Sequence, residues 1–165
     1  VSGAQWRELG ALIKSSKMLR NSSTIALPPT GRSALVIDAS TGVEPIFSLV
    51  GPDGTIALTV KQALGPYLNE EREQAILQGK GLGPWCEPAV QGLLRTSTEI
   101  GADDHLLMVA ALQPIVDESI SKTINLPQGA TVAEVERIYM QAYSLNLKGM
   151  TMYRDGTSCF QPRKL

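Results

Sequence analysis

The chain has 165 residues, 43% of them hydrophobic and 19% charged, with a net charge of −1. That is the length of a single domain, with an ordinary globular composition and enough chain to bury about two-thirds of its unfolded surface. No Lys/Arg block exceeds Arg163-Lys164, so clustered charge for a nucleic-acid backbone is missing, and no apolar run approaches the roughly 18 residues of a membrane span. Val1 to Trp6 has neither the basic start nor the apolar core of a signal peptide, which points to the cytoplasm. The missing initiator Met suggests processing or an engineered boundary.

In chain order, Trp6 to Lys17 reads as an amphipathic helix, with Trp6, Leu9, Leu12 and Ile13 on one face. A β-branched strand is expected from Thr24 to Leu27, breaking at Pro28-Pro29 into the loop Thr30-Gly31-Arg32-Ser33. An apolar segment, Ala34 to Ile37, leads to a turn at Ser40-Thr41-Gly42. A short apolar stretch, Phe47 to Val50, ends at the Gly51-Pro52-Asp53-Gly54 turn. Thr55 to Gln78 is helical in pattern but interrupted at Gly65-Pro66, with Glu70, Glu71, Arg72 and Glu73 as a solvated face. Residues 79–92 hold four glycines and two prolines and read as a flexible surface connection.

Further on, Asp103 or Asp104 is expected to cap a helix whose stripe is Leu106, Val109, Leu112, Val116 and Ile120. Pro114 should kink or divide it near Ala110 to Leu112. Thr131 and Glu134 form a capping-box pattern opening a helix with Val135, Ile138, Tyr139, Ala142 and Leu145 on one side. Leu147-Lys148-Gly149 ends it. A buried strand, Met150 to Tyr153, then enters the Arg154-Asp155-Gly156 turn. A strand–loop start and a helix–strand finish indicate an α/β protein.

The loop at Thr30 to Ser33 is open to two readings: an ordinary Pro-Gly turn, or an anion cradle in which Gly admits close backbone approach and hydroxyls and an arginine add donors. Cys86 and Cys159 are 73 positions apart and suggest neither a disulfide nor a metal site. The lone His105 reads as a polar residue in the first turn of a helix. Lys122 reads as a complement to a helix C-terminus, with Thr123 and Asn125 organising the exit turn.

Three ordered blocks resemble the C-terminal part of the ribonucleotide reductase large subunit, closest to the adenosylcobalamin-dependent class. They are Leu19-Arg20-Asn21 with Pro29-Thr30-Gly31 and Thr41-Gly42-Val43-Glu44-Pro45; then Asp117 to Pro127; then Lys148 to Gly156. The resemblance is poorest between about Gly51 and Arg95. It implies that residues 1–165 form one C-terminal portion of a ten-stranded α/β barrel, a few strands with packed helices. Pro29, Thr30, Gly31, Arg32 and Ser33 would hold the phosphates of a ribonucleotide substrate, with Glu44 and Asn125 supporting. Arg32, where the family usually has a small hydroxylic residue, either makes a bidentate phosphate contact, faces solvent, or marks a drifted site. Glu44-Pro45 reads chiefly as a structural turn. Tyr153, a single tyrosine where other classes carry two, lines the site or packs in a strand.

The family's radical chemistry needs a cysteine on a central loop and a redox pair. The Asn-x-Cys-x-Glu loop is absent from this chain, and Cys86 and Cys159 fit neither role. The resemblance therefore implies a component of a reductase that uses adenosylcobalamin and an N-terminal catalytic chain as partner, inactive by itself. The alternatives are a non-catalytic nucleotide-binding or regulatory module, or a structural fragment. Nucleic acid, membrane and metal are not expected; self-association is open.

Overall fold

A computed structural model describes residues 2–18, 20–37, 39–51 and 53–157. Helix α1 (Gly3–Ser16) opens with a reciprocal capping box. Ser2 Oγ accepts from the Gln5 N–H at 3.4 Å, and Gln5 Oε1 accepts from the Ser2 N–H at 2.7 Å. Its apolar stripe is as expected, yet Trp6, Leu9, Leu12 and Ile13 all stay exposed.

The strand expected at Thr24–Leu27 is instead an extended segment with one bridge, Leu27 parallel to Ile120. Side-chain capture replaces the ladder: the Asp117 carboxylate accepts from the Thr24 N–H, the Thr24 hydroxyl and the Ile25 N–H at 2.7, 2.9 and 3.0 Å. Pro28 and Pro29 then remove the donors that would continue a ladder. The loop and the apolar segment expected after it are one short helix, α2 (Gly31–Val36), whose Ala34 N–H returns to the Thr30 carbonyl at 2.8 Å.

Helix α3 (Leu58–Leu64) gives way at Gly65-Pro66 to a 3-10 turn, and Asn69 restarts the chain by capping α4 (Glu70–Leu77), its Oδ1 accepting from Arg72 N–H at 2.9 Å. Residues 79–92, expected as a surface connection, carry Leu82, Trp85, Cys86 and Val90 into a core cluster with Ile56, Val60, Leu64, Ile76 and Leu94. Helix α5 (Pro88–Leu93) begins inside this stretch. Trp85 lies under the Arg72 guanidinium, 4.9 Å from ring centroid to charge. The apolar side chains between the glycines supply the reason, since each gains by leaving water.

Helix α6 (Ala102–Leu112) is capped by Gly101, not by Asp103 or Asp104, which sit in its first turn and face the positive end of its dipole. It ends at Leu112, where Pro114 enters a 3-10 turn, Gln113–Ile115. The expected stripe is thereby divided. Leu106 stays with the cluster under the sheet, while Val116 and Ile120, beyond the helix, join Val109 in a separate one.

The last third is one parallel unit: β1 (Thr123–Leu126), α7 (Val132–Ser144) and β2 (Thr151–Arg154). The strands pair Thr123 with Thr151 and Asn125 with Tyr153. Thr131 caps α7, its hydroxyl accepting from Glu134 N–H at 3.2 Å. Ile138 and Ala142 are buried by α7, whereas Tyr139, expected beside them, is exposed. Two expectations are corrected here. Thr123 and Asn125 belong to β1 and not to an exit turn, and β2 is half-buried, because only Met152 of its apolar residues meets the core.

Candidate functional site

Strand alternation decides what the small sheet presents. Ile124, Leu126 and Met152 point into the cluster built on Leu106 and Ile138. The residues between them, Thr123 and Asn125 on β1 with Thr151 and Tyr153 on β2, line a cavity of about 820 Å³. One wall of that cavity is the turn Pro28-Pro29-Thr30-Gly31-Arg32, and another is Ser40 to Pro45. The site residues expected from sequence therefore converge: Pro29, Thr30, Gly31, Arg32, Glu44, Asn125 and Tyr153 all line the same space. Ser33 does not line it; it lies one position further into α2.

The turn at Thr30 opens a helix, so the first N–H groups of α2 have no intrahelical acceptor. The Thr30 hydroxyl does not cap them. It lies instead against Gly42, whose φ of +60° suits glycine and where an added Cβ would stand 3.7 Å from Thr30 Oγ1. Gly31 has no such neighbour; a Cβ there meets open space. Arg32 forms no ion pair among the described residues.

Glu44 ties the walls to the floor. Its Oε2 takes a 2.7 Å bond from Lys122 Nζ, and its Oε1 accepts the Thr123 N–H at 2.6 Å. Lys122 also donates to the Thr123 carbonyl at 2.7 Å and is 3% exposed, against 26% for Glu44. Both carboxylate oxygens are thus engaged by protein, which agrees with a structural reading of the Glu44-Pro45 turn. Lys122, expected to face a helix C-terminus, is a buried counter-charge on the strand's doorstep. Sequence spacing of 78 residues gave no sign of the pair.

Three polar side chains on the cavity wall are left without protein partners. The Tyr153 and Ser97 hydroxyls are shielded from solvent and unbonded, and the buried Asn125 side chain makes no hydrogen bond among the described residues. Sequence reasoning passed over Ser97; a serine inside Arg-Thr-Ser-Thr carries no local signal. Behind it lies His105, fully buried on α6, with Nε2 3.0 Å from the Ser97 carbonyl oxygen. Burial holds this imidazole below its ordinary value, aided by Lys122 and opposed by the Ser97 carbonyl, Glu44 and Asp104.

Cys86 is buried in the other cluster, its thiol pushed up by burial and by Glu87, and does not line the cavity. Cys159 lies outside the described residues.

The ribonucleotide reductase barrel-domain family model matches residues 2–153. The chain is 32% identical over 170 residues to a vitamin B12-dependent ribonucleoside-diphosphate reductase of Thermoplasma acidophilum, covering 96% of the chain and 21% of that protein. It is likewise 32% identical over 176 residues to a vitamin B12-dependent ribonucleotide reductase of Streptantibioticus cattleyicolor, covering 95% and 29%. Among solved structures, the alpha subunit of the Actinobacillus ureae class Id ribonucleotide reductase superposes with a TM-score of 0.73 at 20% identity, over 87% of this chain and 28% of that one. The chain spans less than a third of each of these relatives.

Proposed function

The chain belongs to the ribonucleotide reductase family through its barrel domain, and on that premise we propose that it is the C-terminal, substrate-phosphate-binding part of a vitamin B12-dependent ribonucleoside-diphosphate reductase. The observation that carries the reading is the single cavity in which the Pro29–Arg32 turn, the Thr41-Gly42 turn and the polar face of β1 and β2 meet. Phosphate oxygens take the free N–H groups of the first turn of α2, the Thr30 hydroxyl and the Arg32 guanidinium. Glu44 and Lys122 keep the turns in place without touching the ligand. Tyr153 and Asn125 face the remainder of the nucleotide.

The radical cysteine and the reducing pair belong to an N-terminal part of the enzyme. Cys86, buried away from the cavity, serves neither role. Support for such a partner comes from the bare apolar stripe of α1 and from a two-stranded sheet that a barrel must extend on both edges. No helix among the described residues is long and apolar enough to cross a membrane; the cytoplasmic location is part of this proposal and rests on the family assignment alone.

The relatives' names imply adenosylcobalamin. The described residues offer that cofactor no seat of their own: the cavity wall proposed for the phosphates presents hydroxyls, amides and a guanidinium, and the chain's one histidine is buried with its Nε2 on the Ser97 carbonyl oxygen. Its seat is assigned, on this reading, to the N-terminal part of the enzyme.

The test is a deoxynucleotide-formation assay on the chain assembled with its N-terminal part, adenosylcobalamin and a dithiol. Turnover is expected from the assembly and not from the chain alone. Gly31→Val fits the fold, since its site is open, but intrudes where phosphate approaches, so nucleotide affinity should fall at least about ten-fold, the loss of one charge-assisted bond or more. Unchanged affinity in the Gly31→Val assembly refutes the phosphate site.

A further inference from the structure

Ser97 holds an unusual position. It is 2% exposed, it lines the 820 Å³ cavity, and its hydroxyl has no partner. Its backbone is fully committed: the N–H donates to the Ile46 carbonyl at 2.8 Å, and the carbonyl oxygen is 3.0 Å from His105 Nε2. Held from both sides, the residue has only rotation about χ1 left, which swings the hydroxyl among three staggered positions. Buried hydroxyls are nearly always hydrogen-bonded, and an unmet one is costly. A serine at such a place, where alanine would fill the same space without cost, points to a partner that arrives with the ligand.

Its location says which part of the ligand. The bond to Ile46 places Ser97 on the wall formed by Ile46, Phe47, Val50 and Ala57, whereas the phosphate turn is the wall at Pro29 to Arg32. The first wall is mainly apolar, the kind of surface that receives a sugar or base, with few convergent polar groups fixing orientation.

We propose that Ser97 is a specificity-determining contact of this cavity, its hydroxyl hydrogen-bonding the nucleoside portion of a bound nucleoside diphosphate. This rests on the phosphate-site reading above. His105 acts on it only through the backbone, as the strut that holds the Ser97 carbonyl.

The experiment compares two probes, cytidine diphosphate and inorganic pyrophosphate, by titration calorimetry on the assembled enzyme with and without Ser97→Ala. Loss of one neutral hydrogen bond should weaken cytidine diphosphate by about 5–10-fold and leave pyrophosphate unchanged. The ligand-free variant should melt no lower than the parent, because the group removed had no partner. Unchanged cytidine diphosphate affinity, an equal loss for both probes, or a lowered melting temperature in the ligand-free variant each overturns the assignment. Failure of pyrophosphate to bind the parent, with cytidine diphosphate still bound, overturns the phosphate-site reading instead.

Discussion

Removing either half of the Glu44–Lys122 pair should damage the protein unequally, and the inequality follows from burial. Lys122→Met keeps the length of the stem and deletes the ammonium. The orphan it leaves is a carboxylate that is 26% exposed and still accepts the Thr123 N–H at 2.6 Å. Glu44→Gln leaves the opposite orphan, an ammonium that is 3% exposed with neutral acceptors only, the Thr123 carbonyl at 2.7 Å and one amide oxygen that the Thr123 N–H also needs. At 2.7 Å and an effective dielectric near 20, the pair attraction is about 6 kcal/mol before desolvation is subtracted. Breaking a buried pair from one side typically costs about 3–5 kcal/mol. Water reaches Glu44, so Lys122→Met should fall at the low end, about 3 kcal/mol, and Glu44→Gln at the high end, about 5 kcal/mol. The double variant leaves no stranded charge and should lose less than the sum of the two, by about 2 kcal/mol or more. Urea denaturation of the assembled enzyme, followed by fluorescence, reads all four proteins. Single variants within about 1 kcal/mol of the parent, the level of a surface pair, or a strictly additive double variant, would refute the claim that this pair fastens the cavity walls to its floor.

Two further outcomes follow from buried titratable groups. His105 is held below its ordinary pKa of 6.5, so the unfolded chain binds the proton more readily; stability should rise with pH up to about 6.5 and be lost as pH falls below it, a slope that His105→Asn removes from melting curves taken on either side. Cys86, buried with its thiol pushed up, should resist iodoacetamide in the native assembly and be alkylated once urea unfolds it; modification of Cys86 at native rates equal to those in urea, read by mass spectrometry, would contradict its placement.

What the sequence made legible was local. The cap at Thr131, the break at Gly65-Pro66 and the division at Pro114 each carry their cause within a few positions, and these boundaries fall close to the expected places, whereas α1 begins at Gly3, ahead of the expected Trp6. Of the residues that family resemblance proposes for the site, seven line one cavity. What escaped depends on distant partners. Lys122 reads as a helix-end cation until Glu44, 78 residues away, is seen beside it. Thr24–Leu27 has the composition of a strand, but Asp117 intercepts its donors from 93 residues away. The Thr30 loop was misjudged for another reason. The short run Gly31 to Val36 fits either a loop followed by an apolar segment or a single short helix, and periodicity cannot choose over so few residues.

The cavity floor and its walls also differ in how they are assembled. The floor, β1–α7–β2, runs from Thr123 to Arg154 without interruption, so its contacts close short loops. The walls reach it through Glu44, which accepts the Thr123 N–H from 79 residues away, and reach the segment just before it through Thr24–Asp117, which closes a loop of 93 residues. Closing the longer loops takes more chain entropy and yields few bonds in return. The floor is therefore the early, cooperative unit and the Pro29–Arg32 turn the late one, docking onto a surface already made. The same asymmetry persists in the native protein. Amide protons of β1 and α7 should outlast those of residues 24–46 in hydrogen exchange, because the wall can release through its few attachments while the floor stays folded. A turn fastened at a few points to a self-contained base can open and reclose without the fold beneath it coming apart.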